Sequence, residues 1–397
     1  SGVGNSIIVT AVSGGLTTTT QTHTITPAKF TFPLGAQSII ANVCSAVVNV
    51  DTRDFLSNVN NTAAATTADL TAPATVTFYS DAGCASQVGG AGSGGVTIAS
   101  SGNVATIYFK STSGNGITIT ATDTEGNLAS ASQGFTILPS KLAYSTGSQT
   151  FKSGVCSAVK TVVTQDTNSV ATNVTSPTAI TLSAPTGVTF YTDACTTSTA
   201  AVTISAAASA QNFYFQSVVG NVLSVTANSG TLTSVNQNLT ITPSLLAFQT
   251  TAKTIKSNEC ASVHTIQTRA AGGTAANVVA DTTIGLTAPA GVTFYTDAGC
   301  GANTAAITVA ATNSSQNFYF ISANAGSVAL TAIDTTSGMT SVEQTQTVGP
   351  SILAFTTSAQ NVASTVCSAI TSIQTQDGTA AGANPLANVT IGLTSGP

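Results

Sequence analysis

The 397-residue chain has no Trp, one Met and two His. Charge is scarce as well. Nine Lys plus Arg and fourteen Asp plus Glu make 6 % of the residues, against roughly 25 % in an ordinary soluble domain. So few acids, bases and imidazoles leave little for general acid–base chemistry, and no enzyme activity is expected. A net charge of −5 provides no basic surface, which excludes nucleic acid as a partner. No run approaches the roughly 18 apolar residues of a membrane span. The best candidate, residues 6–12, is short and interrupted by Thr10. The opening Ser-Gly-Val-Gly-Asn has no basic region of the signal-peptide kind, and no C-terminal sorting tail is visible.

What is present excludes disorder. Hydrophobic residues reach 42 % and mean hydropathy is +0.32, whereas disordered chains combine low hydrophobicity with high charge. The bulk is Thr, Ser, Ala, Val, Gly and Asn, the composition of half-buried strands.

Internal repetition organises the chain. Cysteines stand at 44, 84, 156, 195, 260, 300 and 367, and the first of each pair recurs after 112, 104 and 107 residues. Leu142-Ala143-Tyr144 returns as Leu246-Ala247-Phe248 and Leu353-Ala354-Phe355. Val76-Thr77-Phe78-Tyr79 returns at 188–191 and 292–295, each followed by an Asp (81, 193, 297) just ahead of a Cys. Residues 4–27 match 220–243 at a constant offset of 216, and 353–394 match 246–287 at an offset of 107. The reading is therefore three complete units, 28–139, 140–243 and 244–350. The C-terminal part of a truncated unit (1–27) precedes them, and the N-terminal part of another (351–397) follows. About 31 residues of a unit belong to neither terminal piece. The expectation is accordingly a window on a longer polypeptide, with an intact mass above 39.2 kDa, in preference to strand donation between copies.

Each unit reads as all-β. In the second, short runs rich in Val, Ile, Thr and aromatics fall at 142–144, 156–165, 179–183, 188–191, 201–205, 212–216, 221–227 and 235–241, separated by turn residues. No stretch sustains a helical apolar period. Seven or eight short strands in about 105 residues mark a β-sandwich. Pro27, Pro139, Pro243 and Pro350 lie just before each next unit, and proline stiffens such a joint by fixing φ. Tandem units of this length and texture resemble the bacterial Ig-like (Big-type) repeats of long surface adhesins and extracellular fibres. The chain departs from antibody-type domains in lacking a Trp and in spacing its paired cysteines by only 39–40 residues, which implies a different disulfide position.

One cysteine pair per unit beside so little charge suits an oxidising exterior. The pairs read as Cys44–Cys84, Cys156–Cys195 and Cys260–Cys300, with Cys367 left unpaired by truncation. A repeated zinc site would need more ligands than one Cys pair and the lone His23 and His264 provide. Asp81, Asp193 and Asp297 read as turn residues bonding their own backbone rather than as calcium ligands, which come in groups. No metal and no cofactor is expected. Each Phe-Tyr pair should put one ring in the core and one outside. His264 stands where the other units have Lys160 and Thr371, and reads as a tolerated strand-face residue. Lys29, Lys141, Lys152 and Lys253 do not match across all units, which argues against a general Lys–Asn isopeptide bond. Glycosylation sequons begin at Asn60 or Asn61, Asn173, Asn238, Asn313 and Asn388. The Gly-rich insertion at 88–95 in the first unit reads as a loop extension.

The expected role is structural: a segment of an extracellular or cell-surface fibre, stalk or sheath, whose partners are neighbouring repeats or copies. The alternative is an adhesin whose repeats bind a glycan or a surface protein.

Overall fold

The computed structural model describes residues 6–394. The outermost residues of the two terminal segments, 1–5 and 395–397, lie outside that range. Among the described residues every regular element is a strand, as expected for a chain with this much Thr and Val.

The second unit shows the plan. Its ten strands are β1 (Lys141–Tyr144), β2 (Thr150–Lys152), β3 (Lys160–Gln165), β4 (Thr178–Ser183), β5 (Val188–Tyr191), β6 (Ser198–Thr199), β7 (Ala201–Ile204), β8 (Ala210–Ser217), β9 (Asn221–Asn228) and β10 (Val235–Thr242). They form two five-stranded sheets, in the orders β1-β3-β8-β5-β6 and β2-β10-β9-β4-β7. Pairing is antiparallel except between β2 and β10, which run parallel. The first sheet has the A-B-E-D neighbours of an Ig sandwich and β10-β9-β4 the G-F-C neighbours. Strand β7 adds an edge beside β4. Residues 245–349 repeat this plan strand for strand. Residues 29–138 do so without a counterpart of β6, and with a longer edge strand, Ser93–Ile98. The terminal segments add a hairpin of Ser6–Ala11 with Thr19–Thr24 and a pair of Ile352–Phe355 with Ile373–Gln376.

Alternation decides which face is buried. Along β8, Phe213, Phe215 and Ser217 are buried while Asn212, Tyr214 and Gln216 face outward. Leu223, Val225 and Ala227 of β9 close over the aromatic rings from the other sheet. Phe213 sits 6.1 Å from both Tyr144 and Phe190, ring centre to ring centre, and Phe151 meets Phe215 edge-on at 4.9 Å. Each unit has its own cluster of this kind, so each buries its own apolar surface.

Three expectations from sequence need correction. The run 156–165 becomes a strand only from Lys160 onward, because Gly154, at φ +76°, turns the chain before Cys156. Two short strands, Thr150–Lys152 and Ser198–Thr199, carry too few residues to show a period. His264 does lie on a strand face, but on the inner one. It is wholly buried, as is Lys160 at the equivalent place in the second unit. Lys160 Nζ donates to Gly147 O (3.1 Å) and Gln237 Oε1 (3.0 Å). The His264 ring lies between Ser262 O (3.1 Å) and Gln346 Oε1 (3.2 Å). Burial pushes both pKa values down.

Because the cores are separate, damage should stay local. Phe213→Ala should destabilise the second unit by roughly 3–5 kcal/mol. Hydrogen exchange should then lose protection across 141–242 while 245–349 stays protected.

Candidate functional site

Two repeated constructions stand out from the packing: a disulfide-bearing turn within each unit and a bonded joint between units. The turn begins at the Asp that follows Val-Thr-Phe-Tyr. Asp81 accepts the N–H groups of Gly83, Ala85 and Ser86. Asp297 accepts those of Gly299, Gly301 and Ala302, and Asp193 those of Thr196 and Thr197. These hydrogen bonds hold all three carboxyls below the usual carboxylate range. The turn leaves the following cysteine in the left-handed region, with φ of +50°, +65° and +51° at Cys84, Cys195 and Cys300. So placed, each reaches a cysteine before the strand equivalent to β3. Cys44–Cys84, Cys156–Cys195 and Cys260–Cys300 are bridged, with Cα separations of 5.8, 5.8 and 5.9 Å. Cys367 is free and exposed.

The bridge lies within one sheet. Ser157 N–H donates to Phe215 O (2.8 Å) and its hydroxyl accepts the Phe215 N–H (3.0 Å). The cysteine beside it thus passes over β8 to the turn that follows β5. Ser45 does the same with Phe109. In antibody domains the bridge joins the two sheets instead.

The joints are two residues long. Leu138 ends one sheet and Lys141 starts the next, with Pro139-Ser140 between them, and Pro243-Ser244 and Pro350-Ser351 are equivalent. The loop after β3 seats on the preceding unit. Asp166 Oδ2 accepts the Gly114 N–H (2.8 Å), Thr167 Oγ1 donates to Thr112 O (2.9 Å), and Asn115 Oδ1 accepts the Asn173 N–H (3.2 Å). At the next joint Gly272 N–H donates to Val218 O (2.8 Å), Ala271 N–H to Ser153 Oγ (2.9 Å) and Asn277 N–H to Asn221 Oδ1 (2.7 Å). At the third, Gly378 N–H donates to Ala323 O (2.9 Å) and Ala325 N–H to Asp377 Oδ2 (3.3 Å).

Asn115 and Asn221 adopt φ of +72° and +71°, a conformation Asn tolerates better than most residues. The glycines before them are needed for closeness. A Cβ on Gly114 would fall 1.9 Å from Thr172 Oγ1, and one on Gly220 2.3 Å from the Ala276 Cβ. Sequence reasoning did not assign these residues a role. The signal was there in Gly4-Asn5, Gly114-Asn115 and Gly220-Asn221.

The remaining candidates are scattered. Phe78, Phe190 and Phe294 are core residues, whereas Tyr79, Tyr191 and Tyr295 face outward, each opposite a second tyrosine: Tyr108, Tyr214 and Tyr319. His23 lies on an exposed strand far from His264. Among the described residues no three His, Cys, Asp or Glu side chains gather in one place. Of the sequon residues, Asn60 is buried and donates to Ile25 O, while Asn173, Asn238, Asn313 and Asn388 are exposed and Asn61 is half-buried.

No family model and no curated protein matches the chain. Among solved structures it is similar to FdeC, an Escherichia coli adhesin, at 13 % identity over 81 % of this chain and 96 % of that one, with a TM-score of 0.35. It is also similar to invasin, a bacterial integrin-binding protein, at 14 % identity, 85 % and 64 % coverage and a TM-score of 0.31. Domains 5–6 of the S-layer protein SbsC match at 13 % identity, 53 % and 98 % coverage and a TM-score of 0.20. At these scores the Ig-like sandwich rests on the chain's own strand pairing.

Closing a loop of 39–40 residues stabilises a unit by roughly 4 kcal/mol on the chain-entropy account. Reduction should lower the unfolding free energy of all three units by up to that amount, read by denaturant titration with and without reductant. Unfolded carboxyls titrate near 3.9. With its folded pKa depressed, Asp193 contributes stability above that value and loses it as pH falls through the folded pKa. Asp193→Ala should therefore lower the melting temperature of the second unit at pH 7, and the deficit should shrink in acid.

Proposed function

We propose that the chain is a stiff, non-catalytic spacer, a segment of an extracellular or cell-surface fibre, stalk or sheath. The observation that carries this reading is the joint. A flexible string of domains would separate its units with Gly- or Ser-rich linkers. Here two residues separate successive sheets, and side-chain and main-chain hydrogen bonds tie each unit to the one before it. The within-sheet disulfide and the scarcity of Lys and Arg suit exposure to an oxidising, protease-containing exterior. Repetition makes length easy to extend, since each added unit contacts only its neighbours. At about 3.3 Å per strand residue, each sandwich contributes roughly 40 Å.

A second reading, an adhesin with a glycan ligand, draws on the outward tyrosine pairs at equivalent positions of all three units. Binding of immobilised polysaccharide that is lost in Tyr191→Ala/Tyr214→Ala would favour it.

The spacer reading is tested by breaking a joint without touching a core. Gly220→Val should leave the unfolding of each unit unchanged, yet shorten the maximum dimension in small-angle scattering by bending the rod between units two and three. An unchanged scattering profile, or a wild-type chain already sampling all bends, counts against it.

A further inference from the structure

In each complete unit one sheet ends on a short edge strand: Ser93–Ile98, Ala201–Ile204 and Ala306–Val309. None of the three carries a charged residue or a proline, the usual devices that keep an edge from pairing with another chain. Units two and three protect theirs differently. Leu182 N–H donates to Ala200 O (2.9 Å) and Leu286 N–H to Ala305 O (2.9 Å). Alternation therefore points the backbone groups of Ala201 and Thr203, and of Ala306 and Thr308, away from the sheet. Thr199 Oγ1 accepts the Ala201 N–H (3.1 Å) and donates to Ala201 O, and Thr304 Oγ1 does the same for Ala306. One hydroxyl thus consumes both groups, and a single open residue remains on each edge.

The first unit lacks this cap. Ala72 N–H donates to Gly92 O (2.8 Å), so Gly94, Val96 and Ile98 bond inward while Gly95 and Thr97 point their backbone groups outward. Ser93 stands where the other units have Thr199 and Thr304. Its N–H goes to Gly90 O (3.2 Å), and among the described residues nothing bonds the outward groups of Gly95 and Thr97. Both residues are exposed. Gly95 also leaves space on the outer face: a Cβ there would have Asp69 Oδ1 and Thr67 Cγ2 as its nearest neighbours, each at 3.7 Å.

We propose that the edge at 93–98 is an interaction surface for the same edge of a second copy. The open row is its own complement. Antiparallel pairing centred on Val96 sets Gly95 opposite Thr97 of the second copy, and Thr97 opposite its Gly95. Every outward N–H and C=O of both residues is then bonded. A register centred on Gly95 or on Thr97 would instead set the other residue against Ser93 or Ala99, whose N–H and carbonyl respectively are already taken. The absence of charge along the edge leaves nothing there to repel another chain of net charge −5. On the outer face, Thr97 of one copy stands across the Gly95 gap from Asp69 of the other, with a hydroxyl to donate to that carboxylate. The pairing joins copies sideways, and it holds whether or not the chain is a spacer.

The test is sedimentation equilibrium of the full chain from micromolar to millimolar concentration, as Cys367→Ser to remove the exposed thiol. The mass should rise toward twice 39.2 kDa. Hydrogen exchange of the Gly95 and Thr97 amides should slow with it, while the Ala201 and Ala306 amides stay protected throughout. Thr97→Pro removes an outward donor and no inward bond, and should weaken association at least about tenfold. Thr203→Pro, on a capped edge, should leave it unchanged. Thr97→Asp keeps every backbone group but faces Asp69 across the pair, so it should also separate the copies, with Asp69→Asn restoring them. A monomer at the highest concentration, association untouched by Thr97→Pro and Thr97→Asp, or equal loss with Thr203→Pro would overturn the proposal. So would exchange at Gly95 and Thr97 that ignores concentration.

Discussion

At the three joints that follow Leu138, Thr242 and Gly349, the last strand of one unit and the first strand of the next are separated by a proline and one further residue. That brevity constrains everything else along the chain. Proline fixes one torsion, and the Ser140 and Ser244 N–H groups are bonded at once to Gln165 and Arg269 of the incoming sheet. So short a connection keeps the loop after β3 within reach of the turn of the preceding unit, to which it is hydrogen-bonded. Close approach then demands Gly114 and Gly220, and the left-handed Asn115 and Asn221 after them accept the Asn173 and Asn277 N–H groups on their side-chain Oδ1 atoms.

Within a unit the corresponding economy is covalent. A sandwich of about 105 residues with no Trp has a modest core, and small domains of this size are only marginally stable. The disulfide shortens the free chain of the unfolded state and ties the β3 side of one sheet to the turn after β5. The Asp carboxylate sets that turn, and the turn sets the backbone of the cysteine. Losing the Asp therefore disturbs the geometry of the bridge as well as its own hydrogen bonds.

Much of this was legible in the sequence because repetition supplied three readings of each position. Val-Thr-Phe-Tyr alternates, so its phenylalanine was expected inside, and the Asp before each cysteine was expected in a turn. What escaped depends on groups distant in sequence. His264 is buried because Gln346, on the opposite sheet, presents an oxygen to its ring; the first unit has Val48 and Phe135 at these two positions. Gly-Asn was visible as a recurring pair, yet its purpose lies in the next unit. The insertion at 88–95 turns at 89–92 before the edge strand begins at Ser93, and only the fold shows that it bonds both sheets, through Val88 to Phe78 and Ala72 to Gly92.

The central claim is that successive units hold one fixed orientation, and residual dipolar couplings of the intact chain in solution test it directly. A single alignment tensor should fit the backbone N–H vectors of 141–242 and 245–349 together, with equal magnitude and common axes. Separate tensors of different magnitude for the two units would mean that the joint swings freely, and would contradict the account.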